Sequence, residues 1–562
     1  MKHYYSRWLT ATLAVMLLAL PACSNSAGTN NNANAVSDGK NATNQGSTEE
    51  TPTPVEKADP FGKYAEPVSY TTAIGTRPNV KFPEGNSYED NHATRYLKEN
   101  YNIETKVIWT APAENNGLRD RLNLAIASND IPDIFVVGDL NQLKKLVQNG
   151  MIEDVTKVYE DYASPTFKDF HSAAGNKALE DVTFDGKLMA IPNLSVQSEG
   201  HDFAWIRQDW LDKLGLQPPK TFEDLTNIAR AFKTQDPDGN GKADTAGFIV
   251  GNDPRTFNLG FYANKATRLM IQNEQGEVMS GMDTPEYKAG VAQMAELYKE
   301  GLIDKEFALK DEAKNNEMIA NGKAGIMQWV WWGPYYPLNE TMKNDPNADW
   351  KPYAILSDDG KWYGTAKQRS WQWVVVKKGF KHPELAMKLV NINEEFELKR
   401  IPELTELWEK KVEEGGYNKF LPWPVAAAAK YEDEIERQYK LLKEALDKND
   451  KSTLTEEFQK HFDSIQKFKT DPKNLDNWAA QRAWGDASEI LTNTPKAYIE
   501  PIYLTTETTT AKSAPLDDLT KKEITAIVMG QKPISAYDEM VKAWKQQGGD
   551  QIIKEMTELL KK

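Results

Sequence analysis

One cysteine, Cys23, stands in 562 residues, so no disulfide within the chain can staple its fold. The six histidines (His3, His92, His171, His201, His382, His461) are scattered. None makes HExxH or another metal-ligand spacing, which argues against a zinc hydrolase. There is no GxSxG elbow and no Walker loop, the patterns of common serine hydrolases and nucleotide hydrolases. Cations are in deficit: 68 Lys and Arg face 83 Asp and Glu, a net charge of −15. A surface of that sign excludes nucleic acid as a partner, because phosphate needs a cationic face. It also argues against direct docking on anionic lipid. Long apolar runs are missing too. The stretch 9–20 is shorter than the roughly 20 residues that cross a bilayer.

That stretch follows Lys2 and Arg7 and leads into Leu20-Pro21-Ala22-Cys23. A charged start, an apolar run and a small residue before the cut describe a secretory signal. The ending resembles a bacterial lipobox, with Pro21 where Ala or Ser is usual. The resemblance implies a lipoprotein signal peptide over 1–22. It also implies a Cys23 thiol carrying a diacylglyceryl anchor of palmitate-type chains, at the extracellular face of the cell membrane. An ordinary signal peptide with an incidental cysteine is the plain alternative. Residues 23–58 are mostly Ser, Asn, Thr, Gly, Ala, Pro and Glu. They lack the apolar surface to offset ordering entropy and read as a disordered tether.

The remaining 500 or so residues are too many for one ordinary core, so two lobes are expected. Strands are expected over 68–74, 103–109, 134–137, 203–207 and 371–376. Helices are expected over 88–100, 117–128, 140–148, 209–214, 222–232, 285–300, 383–391, 538–545 and 550–560. Residues 430–470 are highly charged and helical in pattern. Thr221 to Asp224 resembles a capping box. Alternation of strands with helices of this length predicts α/β lobes with a mostly parallel sheet.

Four segments carry a family resemblance: ASNDIPDI at 127–134, DGKLMAIP at 185–192, RQDWLDKLGL at 207–216 followed by Pro219-Lys220-Thr221, and the closing helix from Tyr537 through Trp544 to Asp550. Together they resemble the extracellular solute-binding proteins of bacterial ABC importers, in particular the lipoprotein group of Gram-positive bacteria that handles oligosaccharides. The resemblance implies a two-lobed, periplasmic-binding-protein-like α/β fold with a hinge and an interlobe cleft. Lobe 1 would hold 59–200 plus about 370–430, and lobe 2 would hold 201–369 plus about 431–562. It implies a monomer with no catalytic activity, which captures an oligosaccharide or other small solute and delivers it to ABC permease subunits. The membrane would be reached through the lipid anchor alone.

Two local patterns point to ligands. Asp236, Asp238, Asn240 and Asp244 stand at positions 1, 3, 5 and 9 of an EF-hand-like loop, with Gly241 at the turn and Lys242 offering its carbonyl. Hard oxygens at that spacing suit a structural Ca²⁺. Position 12 is Gly247 rather than Glu, and in relatives with a similar loop the last ligand comes from the place that Thr245 occupies here. The rival reading is an acidic surface turn. The chain also has 16 tryptophans. Trp329 and Trp331 alternate and should share one face of a strand. Trp329, Trp331, Trp332, Trp371 and Trp373 are candidate sugar platforms, since ring C–H faces stack on indole, although large aromatics are usually core. Asp202, Arg207, Glu199, Arg255 and Asn258 could bond hydroxyls. Arg369 could pair with an acidic sugar.

Two further readings stand beside the importer subunit. A surface-tethered glycan-active hydrolase needs only two well-placed carboxylates. An adhesin-type lipoprotein would bind its partner outside any closing cleft.

Overall fold

A computed structural model describes residues 58–77, 82, 84–113, 117–242, 244–413 and 423–561. The expected signal peptide, Cys23 and the tether up to residue 57 lie outside the described residues. No described helix is long and apolar enough to cross a membrane.

Val68–Thr76 and Ile103–Pro112 pair in parallel. Val68, Tyr70, Thr72 and Ile74 are buried in alternation, the mark of a strand with one covered face. Thr71 fastens this pair to the next strand. Its N–H and hydroxyl donate to Asp133 Oδ2 at 2.9 and 2.7 Å, and the Asp133 N–H returns a bond to its oxygen at 2.9 Å. Ile134–Val137 then lies antiparallel to Trp373–Val376, whose other edge takes Ile191–Pro192. Elsewhere, Phe203–Arg207 is buried at every residue, between Ile326–Trp329 and Trp350–Tyr353 and antiparallel to both. The mostly parallel sheet is therefore corrected. Among the described strands, only Val68–Thr76 with Ile103–Pro112 and Trp362–Thr365 with Lys496–Ile499 run parallel. Strands that return from far along the chain are not held to the direction that a crossover helix imposes.

The first helix begins at His92 and not at residue 88. The Asn91 side-chain oxygen accepts from the N–H groups of Ala93 and Thr94 at 2.9 and 3.3 Å, and Thr94 Oγ1 accepts the Asn91 N–H at 2.9 Å. This reciprocal cap fixes the start. Thr221 and Asp224 form the expected capping box. The charged stretch is two helices, Glu434–Lys448 and Glu456–Phe468, parted where Asn449 takes a left-handed φ of 51°.

Buried apolar side chains gather into separate cores. One draws on residues 68–194 and again on 373–429. The others draw on 203–362 and 435–556. The chain passes between these regions in short paired segments. Asn193 Oδ1 accepts from Ser370 Oγ and from the N–H groups of Trp371 and Gln372, at 3.0, 3.0 and 3.1 Å. Ser195 N–H donates to Arg369 O at 2.9 Å. The Gln197 amide bonds Lys367 in both directions, and Gln197 N–H donates to Glu432 O at 2.8 Å.

The first core also holds a buried acid. Glu394 is fully buried; its Oε2 accepts the Ala429 N–H at 2.6 Å, and Oε1 has no partner among the described residues. Burial pushes its pKa from 4.5 up to about 8. Because the folded value is raised, the stabilisation is full below the unfolded value and is lost as pH rises through about 8. Stability should fall between about pH 5 and pH 8 by up to about 1.4 kcal/mol per unit, and Glu394→Gln should flatten that slope in denaturant titrations.

Candidate functional site

A concave pocket of about 500 Å³ opens beside the strand Phe203–Arg207. Its floor is polar. Asp202, one residue before that strand, receives Asn258 Nδ2 on Oδ2 at 2.8 Å and Gln328 Nε2 at 3.4 Å. Gln328 Nε2 also donates to Thr256 O at 3.1 Å, and its Oε1 accepts the Leu259 N–H at 2.9 Å. Desolvation raises the Asp202 carboxyl above the ordinary carboxylate range, against the Asn258 hydrogen bond and the charge of Lys367.

The wall is aromatic. Trp329 ends the strand Ile326–Trp329, and its ring meets that of Trp332 edge-on, with centroids 5.9 Å apart and planes at 83°. Both line the pocket, and Trp332 is 36% exposed. The turn between them is fixed from below by Trp205 Nε1, which donates to Val330 O at 3.0 Å. Gly333 fits closely here: a Cβ would stand 3.1 Å from Trp329 Cδ1 and 3.2 Å from Trp205 Nε1, so both rings would have to give.

The other expected site residues fall elsewhere. The strand stops at Trp329, so Trp331 does not share its face. Trp331 packs on Trp484 at 4.6 Å, within the core that includes Trp205 and Trp350. Trp373 is 2% exposed and belongs to the first core. Trp371 is 51% exposed and sits at the paired crossing beside Asn193. Arg207 is buried, bonded to Asp209 at 2.8 and 2.6 Å and to Asp345 at 3.1 Å, with its guanidinium over the Trp210 ring. It holds the fold and does not face the pocket. Arg369 pairs with Asp181 at 3.3 Å, and Glu199 pairs with Lys367 at 2.9 Å. Arg255 is held by Asp253, Asp517 and Thr520. Asn252, Glu312 and Asn316 also line the pocket and were not anticipated. The only sequence signal near Asn252, the run Gly251-Asn252-Asp253-Pro254, equally fits a plain turn.

The acidic loop is folded on itself. Asp236 accepts the N–H groups of Asn240 and Gly241 at 3.1 and 2.9 Å. Asn240 Nδ2 donates to Asp238 Oδ2 at 2.6 Å and to Asp244 Oδ1 at 3.0 Å, and Asn240 Oδ1 accepts the Lys242 N–H at 2.8 Å. Lys323 Nζ sits 2.8 Å from Asp244 Oδ2. Among the described residues, no group of three His, Cys, Asp or Glu side chains stands ready around one point for a metal. The donor set still fits a hard cation. The Asn240 amide nitrogen lies between two carboxylates, and the side chains here carry the oxygens that such an ion needs. Thr245 is buried with Oγ1 unpartnered among the described residues.

With the polar floor, aromatic wall and paired crossings in place, the fold can be compared with known ones. It is an α/β, two-lobed fold of the periplasmic-binding-protein type. The HMO-binding, ABC-transporter-associated solute-binding protein of Bifidobacterium longum infantis ATCC 15697 superposes with a TM-score of 0.59 at 17% identity, over 88% of this chain and 98% of that one. FusA of Streptococcus pneumoniae, solved with kestose and as an EF-hand mutant with fructo-nystose, gives a TM-score of 0.55 at 18% identity, over 88% of this chain and 98% of that one. In sequence, lipoprotein LipO of Bacillus subtilis is 26% identical over 511 residues, covering 87% of this chain and 93% of LipO. Residues 81–392 match the model of the bacterial extracellular solute-binding proteins, and the chain belongs to that family.

Arg207 and Arg369 separate by their surroundings. Arg207→Ala should lower unfolding free energy by about 1–3 kcal/mol, since it removes a buried side chain that packs on Trp210 and bonds two carboxylates. Arg369→Ala removes an exposed pair and should change it by under about 1 kcal/mol. Denaturant midpoints of the two variants check this.

Proposed function

We propose that the protein is the lipid-anchored binding subunit of an ABC importer and captures an oligosaccharide in a cleft between two lobes. One lobe holds the core built from 68–194 and 373–429, and the other holds the cores built from 203–362 and 435–556. The observation that carries the reading is the pocket: Trp329 and Trp332 form an apolar corner over the Asp202–Asn258–Gln328 network. A sugar has the matching halves, C–H faces for indole and hydroxyls for amides and carboxylate. Trp371, exposed at the crossing, would be a further aromatic surface for the ligand once the lobes close. Ligand bridging both lobes selects the closed form, and the closed form meets the permease. The acyl chains on Cys23 hold the body at the extracellular face, and the lipoprotein name of LipO is consistent with this. Relatives named for binding, with bound sugars that remain sugars, favour a binder over a hydrolase.

The loop with Asp236, Asp238, Asn240, Lys242, Asp244 and Thr245 would hold a structural Ca²⁺. Bound there, the ion would cross-link the turn between the helix Phe222–Thr234 and the segment leading to the pocket. The EF-hand variant of FusA favours this assignment.

Three measurements test these statements. Trp332→Ala should weaken solute binding by about 1–3 kcal/mol with little change in melting temperature. Trp331→Ala should instead lower stability. Fructo-oligosaccharides should raise the melting temperature, should compact the protein in small-angle scattering, and should be recovered uncleaved; release of reducing ends would establish the hydrolase. Calcium should raise the melting temperature, chelator should reverse the rise, and Asp236→Ala should lower stability by more in calcium than in chelator.

A further inference from the structure

The charge and hydrogen-bond character of the pocket narrow its ligand, on the reading that the pocket takes a sugar. Its lining contains three carboxylates, Asp202, Asp253 and Glu312, and no lysine, arginine or histidine. Only Asp253 is neutralised: its Oδ2 receives Arg255 Nη2 at 2.7 Å. Neither Asp202 nor Glu312 makes an ion pair among the described residues. The nearby cations are already committed. Arg255 is held by Asp253, Asp517 and Thr520, and Lys367 lies on Glu199 at 2.9 Å. Several of the donors are committed as well, although the buried Trp329 Nε1 has no partner among the described residues. Gln328 Nε2 donates to Asp202 and to Thr256 O, Asn258 Nδ2 donates to Asp202, and Asn316 Nδ2 donates to Tyr336 Oη at 3.1 Å. The pocket lining is thus negative and free of any counter-ion for an anion.

We infer that the pocket is selective for uncharged oligosaccharides and rejects uronate-type, carboxylated ones. A neutral sugar enters as a hydroxyl donor, and Asp202 is the acceptor that its hydroxyls find between Trp332 and Gln328. A uronate carboxylate brings no proton to donate. It stands near two unpaired carboxylates, and like charges about 6 Å apart at an effective dielectric of about 20 repel by roughly a hundredfold in affinity. Specificity here is built by an unfavourable contact with the wrong ligand as much as by contacts with the right one.

The test is calorimetric titration of the protein with kestose, maltotriose and xylotriose on one side and trigalacturonate on the other, at neutral pH and at two salt concentrations. Chitosan trimer serves as a cationic control. The expected result is binding of at least one neutral trimer and at least about a hundredfold weaker binding of trigalacturonate. In the double variant Asp202→Asn, Glu312→Gln, that gap should shrink tenfold or more. Circular dichroism melting confirms that this variant is folded; if it is not, loss of discrimination as salt rises in the wild-type protein takes its place. Trigalacturonate binding as tightly as the neutral trimers, or chitosan trimer binding no more tightly than trigalacturonate, overturns the inference while leaving the oligosaccharide reading intact. Binding of none of the five sugars overturns that reading as well.

Discussion

Everything in this molecule depends on how a chain with two sets of cores is allowed to pass between them. The crossing is organised around one side-chain oxygen. Asn193 Oδ1 accepts three donors from residues 370–372, so the outgoing and returning segments are held side by side where the cores change over. Backbone bonds from Ser195 and Gln197 extend that pairing to Arg369 and Glu432. Under the proposed function these short segments are where the hinge would lie, and rotation about them would open and close the cleft without separating the lobes.

The pocket is built from the edge of a rigid element. Phe203–Arg207 is buried throughout and paired on both sides, so Asp202 is placed by a strand that cannot shift without breaking two ladders. The same holds for Gln328 and Trp329, which end the neighbouring strand. Trp205 reaches under that strand to fix the carbonyl of Val330, and thereby the turn that presents Trp332. The tryptophans divide the labour. Some are core, one braces the loop from beneath, and two face the pocket. Their number in the sequence says nothing about which does which.

That division marks where the sequence was legible. Strands with a clean period of two, such as Val68–Thr76, and helices with strong caps, such as Phe222–Thr234, could be read because their signals are local. The mostly parallel sheet could not be, because Trp373–Val376 pairs with segments about 180 and about 240 residues earlier. Trp331 was misread because alternation holds only while a strand continues, and this one ends at Trp329. Arg207 lies in a motif that marks the fold. Its position two residues before Asp209 is the arrangement of a local ion pair, a structural use that outranks a ligand contact. Asn252 and Asn316 reach the pocket from a turn and a helix that no spacing links to it.

The acidic loop and the pocket belong to one continuous piece of chain, and this gives the loop's place in the fold a physical meaning. Ala246 N–H donates to Lys323 O at 2.8 Å, and Ile249 N–H reaches Ile326 O at 3.4 Å, so the residues after Asp244 lie along the segment that becomes Ile326–Trp329. Lys323, whose ammonium neutralises Asp244, begins that same segment. Residues 249–258 then line the pocket itself. The backbone that must present Asn252, Thr256 and Asn258 is therefore held at its upstream end by charged oxygens that repel one another unless a cation or an ammonium stands among them. Loop and pocket thus share one stretch of backbone, and what holds the first bears on the placement of the second.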